Sequence, residues 1–319
     1  MYYIGVDLGG TNIAAGIVDS EYKIIKKGSV PTEAQRDGKE IIRDMGELCK
    51  KLVTDAGITF DDIEYVGIAS PGAIDPVNGV VVYANNLPFV KFPIADILKS
   101  FIPVKKVLVE NDANAAAKGE AVAGAAKGVA DAVMITLGTG VGGGIIIDHK
   151  VYAGFNYAGA ELGHIVIEHN GRQCSCGRRG CWEAYSSATG LINMTKEKLD
   201  ECKEKGIPTL MSKLVEDEGK VSGKTAFAAM KQGDAPAKEV VDMYISYLGC
   251  GLSNIINIFQ PEILVIGGGI CNEKHYLTDP LEVIIKQETY GNEAIKPTTL
   301  KIAELGNDAG IIGAAVLGL

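Results

Sequence analysis

The sequence predicts an α/β protein built from two similar halves, and three observations carry that expectation. Apolar, strand-like runs alternate with amphipathic helical stretches along the whole chain, the pattern of helices packed on largely parallel sheets. The opening stretch IGVDLGGTNIAAGIVDSEYK returns as VMITLGTGVGGGIIIDHKVY at an offset of 129 residues, so that Gly9 aligns with Gly138, Ile17 with Ile146 and Asp19 with Asp148. Glycine turns follow apolar strands three times, at Gly9-Gly10-Thr11, Gly138-Thr139-Gly140 and Gly267-Gly268-Gly269. Two related halves would set the first two turns opposite each other across a cleft; two unrelated hairpins are the simpler alternative.

The elements follow in order. Residues 2–8 alternate as a short strand, Gly9, Gly10, Thr11 and Asn12 turn it, and Ile13–Asp19 returns as a second, with a third over Tyr22–Gly28. The spacing of Ile41, Ile42, Met45, Leu48, Leu52 and Val53 predicts a helix over 38–56, because residues three and four apart share a helix face. Ile63–Ala69 reads as a buried strand ending at Ser70-Pro71-Gly72, and Val104–Val109 as another ending at Glu110-Asn111-Asp112, with an alanine-rich helix over Ala113–Ala125 directly after it. Beyond the second glycine hairpin, residues 189–247 read as mostly helical with a polar stretch at 215–224. Val240–Phe259 is a long apolar-periodic helix stopped by Pro261, Ile263–Ile266 a strand, and Asp308–Leu319 a helix of small residues. No disordered linker interrupts the chain, so a domain boundary is expected to be a hinge inside compact structure.

Composition narrows the function. A net charge of −9 without a long basic run argues against nucleic acid or an anionic membrane as partner. Small anions remain open, since backbone N–H groups bind phosphate without lysine. MYYIGVDLGG has no basic region or cleavage site of a secretory signal, and no apolar stretch is long and polar-free enough to span a bilayer. Seven cysteines, an odd number, then suggest reduced thiols in a cytoplasm.

Three of those cysteines lie close together. His164, Cys174, Cys176 and Cys181 in ELGHIVIEHNGRQCSCGRRGCWE have the make-up of a closed zinc site, one imidazole and three thiolates. Glu161 stands just before the histidine and Glu183 just after the last cysteine. The cluster therefore reads either as a metal clamp organising a polar pocket or as a knuckle that only staples a loop.

The glycine turns and two aspartates suggest phosphate chemistry. Turns without Cβ atoms let main-chain N–H groups wrap a phosphate, and Thr11 and Thr139 add hydroxyls. None is a Walker A or a dinucleotide fingerprint. Asp7, at the end of the first strand, reads as a Mg²⁺ carboxylate acting through water or as a turn cap. Asp112, where a strand meets a helix, reads as a general base or as a helix N-cap. Gly268 and Gly269 read as a close approach to a flat base or ribose.

VDLGGTN, SPG, ENDANAAA, LGTGVGGG, AGAELGHIVI, CSCGRRGCWE and IGGG together resemble the ROK family of sugar kinases and sugar-sensing repressors, from the first strand to the last helix. The resemblance implies an actin-like (ribonuclease H-like) ATPase fold of two α/β domains with an interdomain cleft. The expected domains are 1–111 plus 307–319 and 112–306. It implies Asp112 as catalytic base and Gly72, Asn85, Asn111, Glu161, His164 and Glu183 at the sugar. It implies Asp7, Gly9, Gly10, Thr11, Asn12, Gly138, Thr139, Gly140, Gly268 and Gly269 at Mg²⁺–ATP, and His164, Cys174, Cys176 and Cys181 on a structural zinc. The expected partners are ATP and a hexose, glucose first, with N-acetylmannosamine, allose and fructose open, in a homodimer or homotetramer. Repressors of the family carry a helix-turn-helix ahead of the first glycine turn, and Asp7 stands too near the start to leave room for one. A zinc-stabilised sugar sensor without catalysis and an actin-like ATPase or chaperone are the competing readings.

Overall fold

The computed structural model describes residues 1–291 and 294–319. Its strands are β1 (Tyr2–Leu8), β2 (Asn12–Val18), β3 (Ile24–Pro31), β4 (Ile63–Ser70), β5 (Ala73–Asp75), β6 (Val80–Tyr83), β7 (Val90–Phe92), β8 (Val107–Asn111), β9 (Ala132–Leu137), β10 (Val141–Ile147), β11 (Lys150–Val151), β12 (Ile263–Gly267) and β13 (Thr299–Ile302). The helices are α1 (Gly38–Asp55), α2 (Ile94–Phe101), α3 (Asp112–Ala123), α4 (Glu183–Ser186), α5 (Ala188–Lys205), α6 (Leu210–Glu218), α7 (Thr225–Met230), α8 (Ala235–Phe259), α9 (His275–Glu288) and α10 (Ala309–Ala315).

The sequence repeat corresponds to a repeat of topology. One sheet runs β3-β2-β1-β4-β8 and the other β11-β10-β9-β12-β13, so each sets a glycine hairpin beside two later strands in the same order. In the first sheet β1 pairs antiparallel with β2 and parallel with β4, and β4 pairs parallel with β8. In the second, β12 pairs parallel with β13. This is the actin-like α/β architecture. The chain forms two compact units, Met1–Met134 with Gly144–Ala160 and Ala303–Leu319, and Ile135–Gly143 with Glu161–Ile302.

In the first unit, Ile4, Val6, Leu8, Ile13, Ile17, Val66 and Ile68 bury one sheet face against Ile41, Ile42, Met45 and Leu48 of α1. Fully burying side chains of this size contributes about 1.5–3 kcal/mol each. The opposite face takes α10 at backbone distance. A Cβ on Gly5 would stand 1.8 Å from the Ile311 carbonyl oxygen, and one on Gly67 1.8 Å from that of Ala314. Tyr65 seals the end of this layer, its hydroxyl donating to the Ala315 carbonyl at 2.6 Å. Helix α3 packs on α10 just as closely: a Cβ on Gly313 would lie 1.9 Å from the Ala115 carbonyl oxygen. This contact groups Asp112–Met134 with the N-terminal residues, a different division from the expected boundary at 111/112.

The second unit is organised on α8. Trp182 is wholly buried, lies over Gly251 of α8 and donates its indole N–H to the Tyr247 carbonyl at 3.1 Å. A Cβ on Gly251 would meet the ring at 2.0 Å, so only glycine admits the tryptophan there.

Several elements differ from their expected bounds for local reasons. The third strand starts at Ile24 because Asp19 accepts the N–H groups of Glu21 and Lys23 at 2.9 Å each and holds residues 19–23 as a turn. The strand expected from Val104 starts at Val107, since Val104 bonds back to the Ile102 carbonyl around Pro103. The alanine-rich helix begins at Asp112 and stops at Ala123. Part of the polar stretch at 215–224 is helical, α6 running to Glu218 and closing on Gly219 at φ +71°. Pro261 follows a left-handed Gln260, which ends α8 as expected.

Candidate active site

Asp7 occupies the end of β1, just before the first glycine turn. Its carboxyl is pushed up to about 6, first by burial and then by the negative charge of Asp112. A Cβ on Gly310 of α10 would stand 2.5 Å from the Asp7 carboxylate, so the carboxylate fills the space that glycine leaves. Two acidic groups held together in this way suit a divalent cation, which relieves the repulsion. One consequence is measurable without ligand. The raised folded pKa means this group favours the folded state below about pH 4 and the benefit is lost as pH rises through about 6. Asp7→Asn is therefore expected to raise the ligand-free melting temperature at pH 8, a gain on the order of 2 kcal/mol after allowance for solvent screening. The gain disappears below pH 4 in differential scanning fluorimetry, and an equal gain at both pH values contradicts the account.

The first glycine turn is closed by Gly9, whose N–H donates to the Asn12 carbonyl at 2.9 Å. Gly10, Thr11 and Asn12 are exposed. Thr32, fully buried at the end of the β3 edge, donates its hydroxyl to the Gly9 carbonyl at 2.7 Å and its N–H to the Thr11 carbonyl at 2.8 Å.

Asp112 is the first residue of α3, and the residue before it does the capping. Asn111 Oδ1 accepts the N–H groups of Ala113 at 3.0 Å and Asn114 at 3.2 Å, while its Nδ2 donates to the Gly72 carbonyl at 3.1 Å. The N-cap role considered for Asp112 thus belongs to Asn111. Asp112 itself accepts the Ala113 N–H at 2.9 Å, and one side of it is open to solvent. The protein packed around its other sides still raises its carboxyl above the usual range, burial outweighing the N–H groups that lower it. Glu110, unremarked in the sequence, accepts from the Asn111 N–H at 2.8 Å and Asn114 Nδ2 at 3.1 Å, and burial raises its carboxyl too. Gly72, at φ +101°, would bring a Cβ within 2.1 Å of the Tyr83 carbonyl oxygen. Asn85 is exposed in the β6–β7 connection.

In the second unit, Gly138 closes its turn by donating to the Gly140 carbonyl at 3.0 Å. Ala188 N–H binds the Gly138 carbonyl at 2.9 Å and the Thr189 hydroxyl binds the Thr139 carbonyl at 2.8 Å. Glu183, at the start of α4, reaches this turn: Oε2 accepts the Val141 N–H at 3.0 Å and would lie 2.4 Å from a Cβ on Gly140. Its Oε1 accepts from the Ser175 hydroxyl at 3.0 Å. In the sequence, a hydroxyl between two metal-spaced cysteines is the one signal that Ser175 carries. Gly268, at φ +107°, is required by the Leu137 carbonyl oxygen, 2.1 Å from where a Cβ would be. Gly269 has open space beside it.

The cysteine loop brings its four candidate ligands together. One donor atom from each of His164, Cys174, Cys176 and Cys181 lies within 4.8 Å of all the others. Cys174 Sγ is 3.7 Å from His164 Nδ1, and Cys176 Sγ is 3.7 Å from Cys181 Sγ. A tetrahedron with zinc–sulfur bonds of about 2.3 Å has edges of about 3.8 Å, so the donor set and its spacing fit zinc. Tight backbone turns make the knuckle. Cys174 and Arg178 bond across it at 2.9 Å, and Gly180, at φ +82°, would clash with the Glu168 carbonyl oxygen at 1.8 Å if it bore a Cβ. Arg178 fixes the histidine from outside, donating to the His164 carbonyl at 3.1 Å. Glu161 is exposed, and its carbonyl accepts the His164 N–H at 3.0 Å in a short 3-10 turn.

Asp7, the first glycine turn, Gly72, Asn85, Asn111 and Asp112 thus belong to the first unit, and the second glycine turn, Glu161, His164, Glu183, the cysteines, Gly268 and Gly269 to the second. Comparisons with known proteins bear on the whole chain. It is 40% identical over 314 residues to the glucokinase of Thermotoga maritima, covering 98% of this chain and 95% of that one. It is 36% identical over 316 residues to the glucokinase of Halalkalibacterium halodurans, covering 98% and 93%. The crystal structure of a ROK family glucokinase from Streptomyces griseus, in complex with glucose and AMPPNP, superposes with a TM-score of 0.81 at 34% identity over 99% of both chains. The model of the ROK family matches residues 3–319, and the chain belongs to that family.

Proposed function

We propose that the protein is an ATP-dependent hexose kinase acting on glucose, giving D-glucose 6-phosphate and ADP. The observation that carries this reading is full-length likeness, at 34–40% identity, to proteins named glucokinases, one of them crystallised with glucose and an ATP analogue. Asp112 supports it from within this chain: it is released from capping by Asn111, it has a raised carboxyl, and it is open to solvent on one side.

In this reading Asp112 accepts the proton of the sugar's primary hydroxyl as the phosphoryl group transfers. A carboxylate suffices because the transition state is loose and the proton leaves late, so positioning and charge neutralisation supply most of the acceleration. Glu161, the free Nε2 side of His164 and Glu183 provide acceptors and a donor for sugar hydroxyls, which each donate and accept. Asn111 offers its second amide hydrogen, the first being held by Gly72. The glycine-turn N–H groups take the phosphates. Asp7 would hold magnesium, through water, and the ion when bound would supply positive charge to the transferring phosphoryl group. His164, Cys174, Cys176 and Cys181 would hold zinc, which would supply rigidity rather than an activated water, since four protein ligands leave no open coordination position.

ADP release across a panel of glucose, mannose, fructose, allose and N-acetylmannosamine tests the reading. Glucose is expected to give the highest kcat/KM. A different preferred sugar replaces glucose but keeps the kinase, and ATP turnover that no sugar raises overturns the proposal.

A further inference from the structure

Glycine turns carry an unresolved problem as phosphate cradles. Without Cβ atoms their peptides rotate easily, and a flipped peptide turns a carbonyl oxygen toward the anion in place of an N–H. Something has to fix the direction of each peptide. In both glycine hairpins the carbonyls are tied from behind, and in both a threonine outside the turn makes a tie.

In the first hairpin, the Thr32 hydroxyl holds the Gly9 carbonyl at 2.7 Å and the Thr32 N–H holds the Thr11 carbonyl at 2.8 Å. In the second, the Thr189 hydroxyl holds the Thr139 carbonyl at 2.8 Å, and the N–H of the preceding residue, Ala188, holds the Gly138 carbonyl at 2.9 Å. In a planar trans peptide the C=O and the next N–H point in opposite directions. Tying these four carbonyls therefore aims the N–H groups of Gly10, Asn12, Thr139 and Gly140 away from the two threonines. The ties come from unrelated parts of the chain, the end of β3 in one unit and the start of α5 in the other. The two hairpins reach the same arrangement with different elements, which a passive packing contact does not require.

We propose that Thr32 and Thr189 are positioning residues for the nucleotide, each locking the peptide direction of one glycine turn so that its N–H groups meet phosphoryl oxygens. The proposal rests on the kinase reading above and adds to it two residues that touch no substrate. It predicts a defect confined to the nucleotide. Losing one such hydrogen bond is worth about 0.5–1.5 kcal/mol, which corresponds to roughly a 3–10-fold weakening of phosphate binding by that turn.

The test compares Thr32→Val and Thr189→Val, which keep volume and remove the hydroxyl, with Thr32→Ser and Thr189→Ser, which restore it. Calorimetric titration with Mg²⁺–AMPPNP and steady-state kinetics are the readouts. Each valine variant is expected to raise the Mg²⁺–AMPPNP Kd and the KM for ATP roughly 3–10-fold, with the KM for the sugar unchanged and each serine variant near wild type. Thr189 is exposed, so Thr189→Val keeps the test decisive even if the buried Thr32→Val fails to fold. Wild-type affinity in folded Thr189→Val overturns the proposal, as does a parallel rise in both KM values or a serine variant as weak as the valine. A wild-type protein that binds Mg²⁺–AMPPNP but phosphorylates no sugar refutes the kinase reading alone.

Discussion

Asp112→Asn is expected to lower kcat by about a thousandfold, within the range that loss of a general base produces, with little change in melting temperature or sugar affinity. The reason for the small structural effect is local. Asn111, not Asp112, caps α3, and an asparagine at 112 can still accept the Ala113 N–H that Asp112 accepts at 2.9 Å. The pH profile carries a second, independent expectation. Burial raises the Asp112 carboxyl above its ordinary 3.8, and the base works only when ionised. Wild-type kcat/KM therefore falls as pH drops through that raised value, while the residual rate of the asparagine variant lacks this limb. Turnover within tenfold of wild type, measured by coupled ADP release at saturating sugar and ATP, removes Asp112 from the role.

Loss of the proposed zinc site is expected to have the largest effect on stability. The wild-type protein should carry one zinc per chain by inductively coupled plasma mass spectrometry, and Cys181→Ser none. Cys181 is completely buried, and burial with the neighbouring sulfurs pushes its thiol up to about 12. Without a cation, the buried Cys181 thiol has little to draw it to the other three side chains. Structural zinc in finger peptides contributes about 10–16 kcal/mol, and even a small part of that supports a melting temperature lower by ten degrees or more. Sugar affinity should fall more than tenfold, because His164 and Glu183 are held by this loop: Cys174 faces His164 Nδ1, and Ser175 donates to Glu183 at 3.0 Å. Mg²⁺–AMPPNP affinity should change less. A metal-free protein with wild-type glucose affinity contradicts the link between knuckle and sugar.

Much of this was legible in the sequence because it is local. The four candidate metal ligands are close along the chain and come together in the structure, and the glycine hairpins announce themselves twice at a fixed offset. What escaped is non-local or weak. Asn111 and Asp112 are both favoured caps, so only the fold shows that Asn111 is the one that caps α3. Thr32, Thr189 and Ser175 act through hydrogen bonds to residues distant in sequence or to a single carboxylate, and no periodicity marks them. The small sheet β5-β6-β7 has strands of three or four residues, too short for alternation to register. Helix α9 carries Pro280 inside it, beyond the first turn where proline is tolerated, a residue that argues against a helix from sequence. Among the described residues no helix is long and apolar enough to cross a membrane, in keeping with the hydropathy of the sequence.

The seating of α10 on Gly5 and Gly67 has a consequence for the order of events during synthesis. The groove that receives Ile311 and Ala314 is lined by Gly5 and Gly67, yet the helix that fills it is translated well over two hundred residues later. At about 5–20 residues per second that interval is roughly 10–60 s. Throughout it the nascent first sheet can cover one face with α1 but has only α3, through Ala115 against Ala69, for the other, so most of an apolar, glycine-paved surface waits outside the ribosome for its own distant partner. The first unit to be translated is therefore the last to be completed.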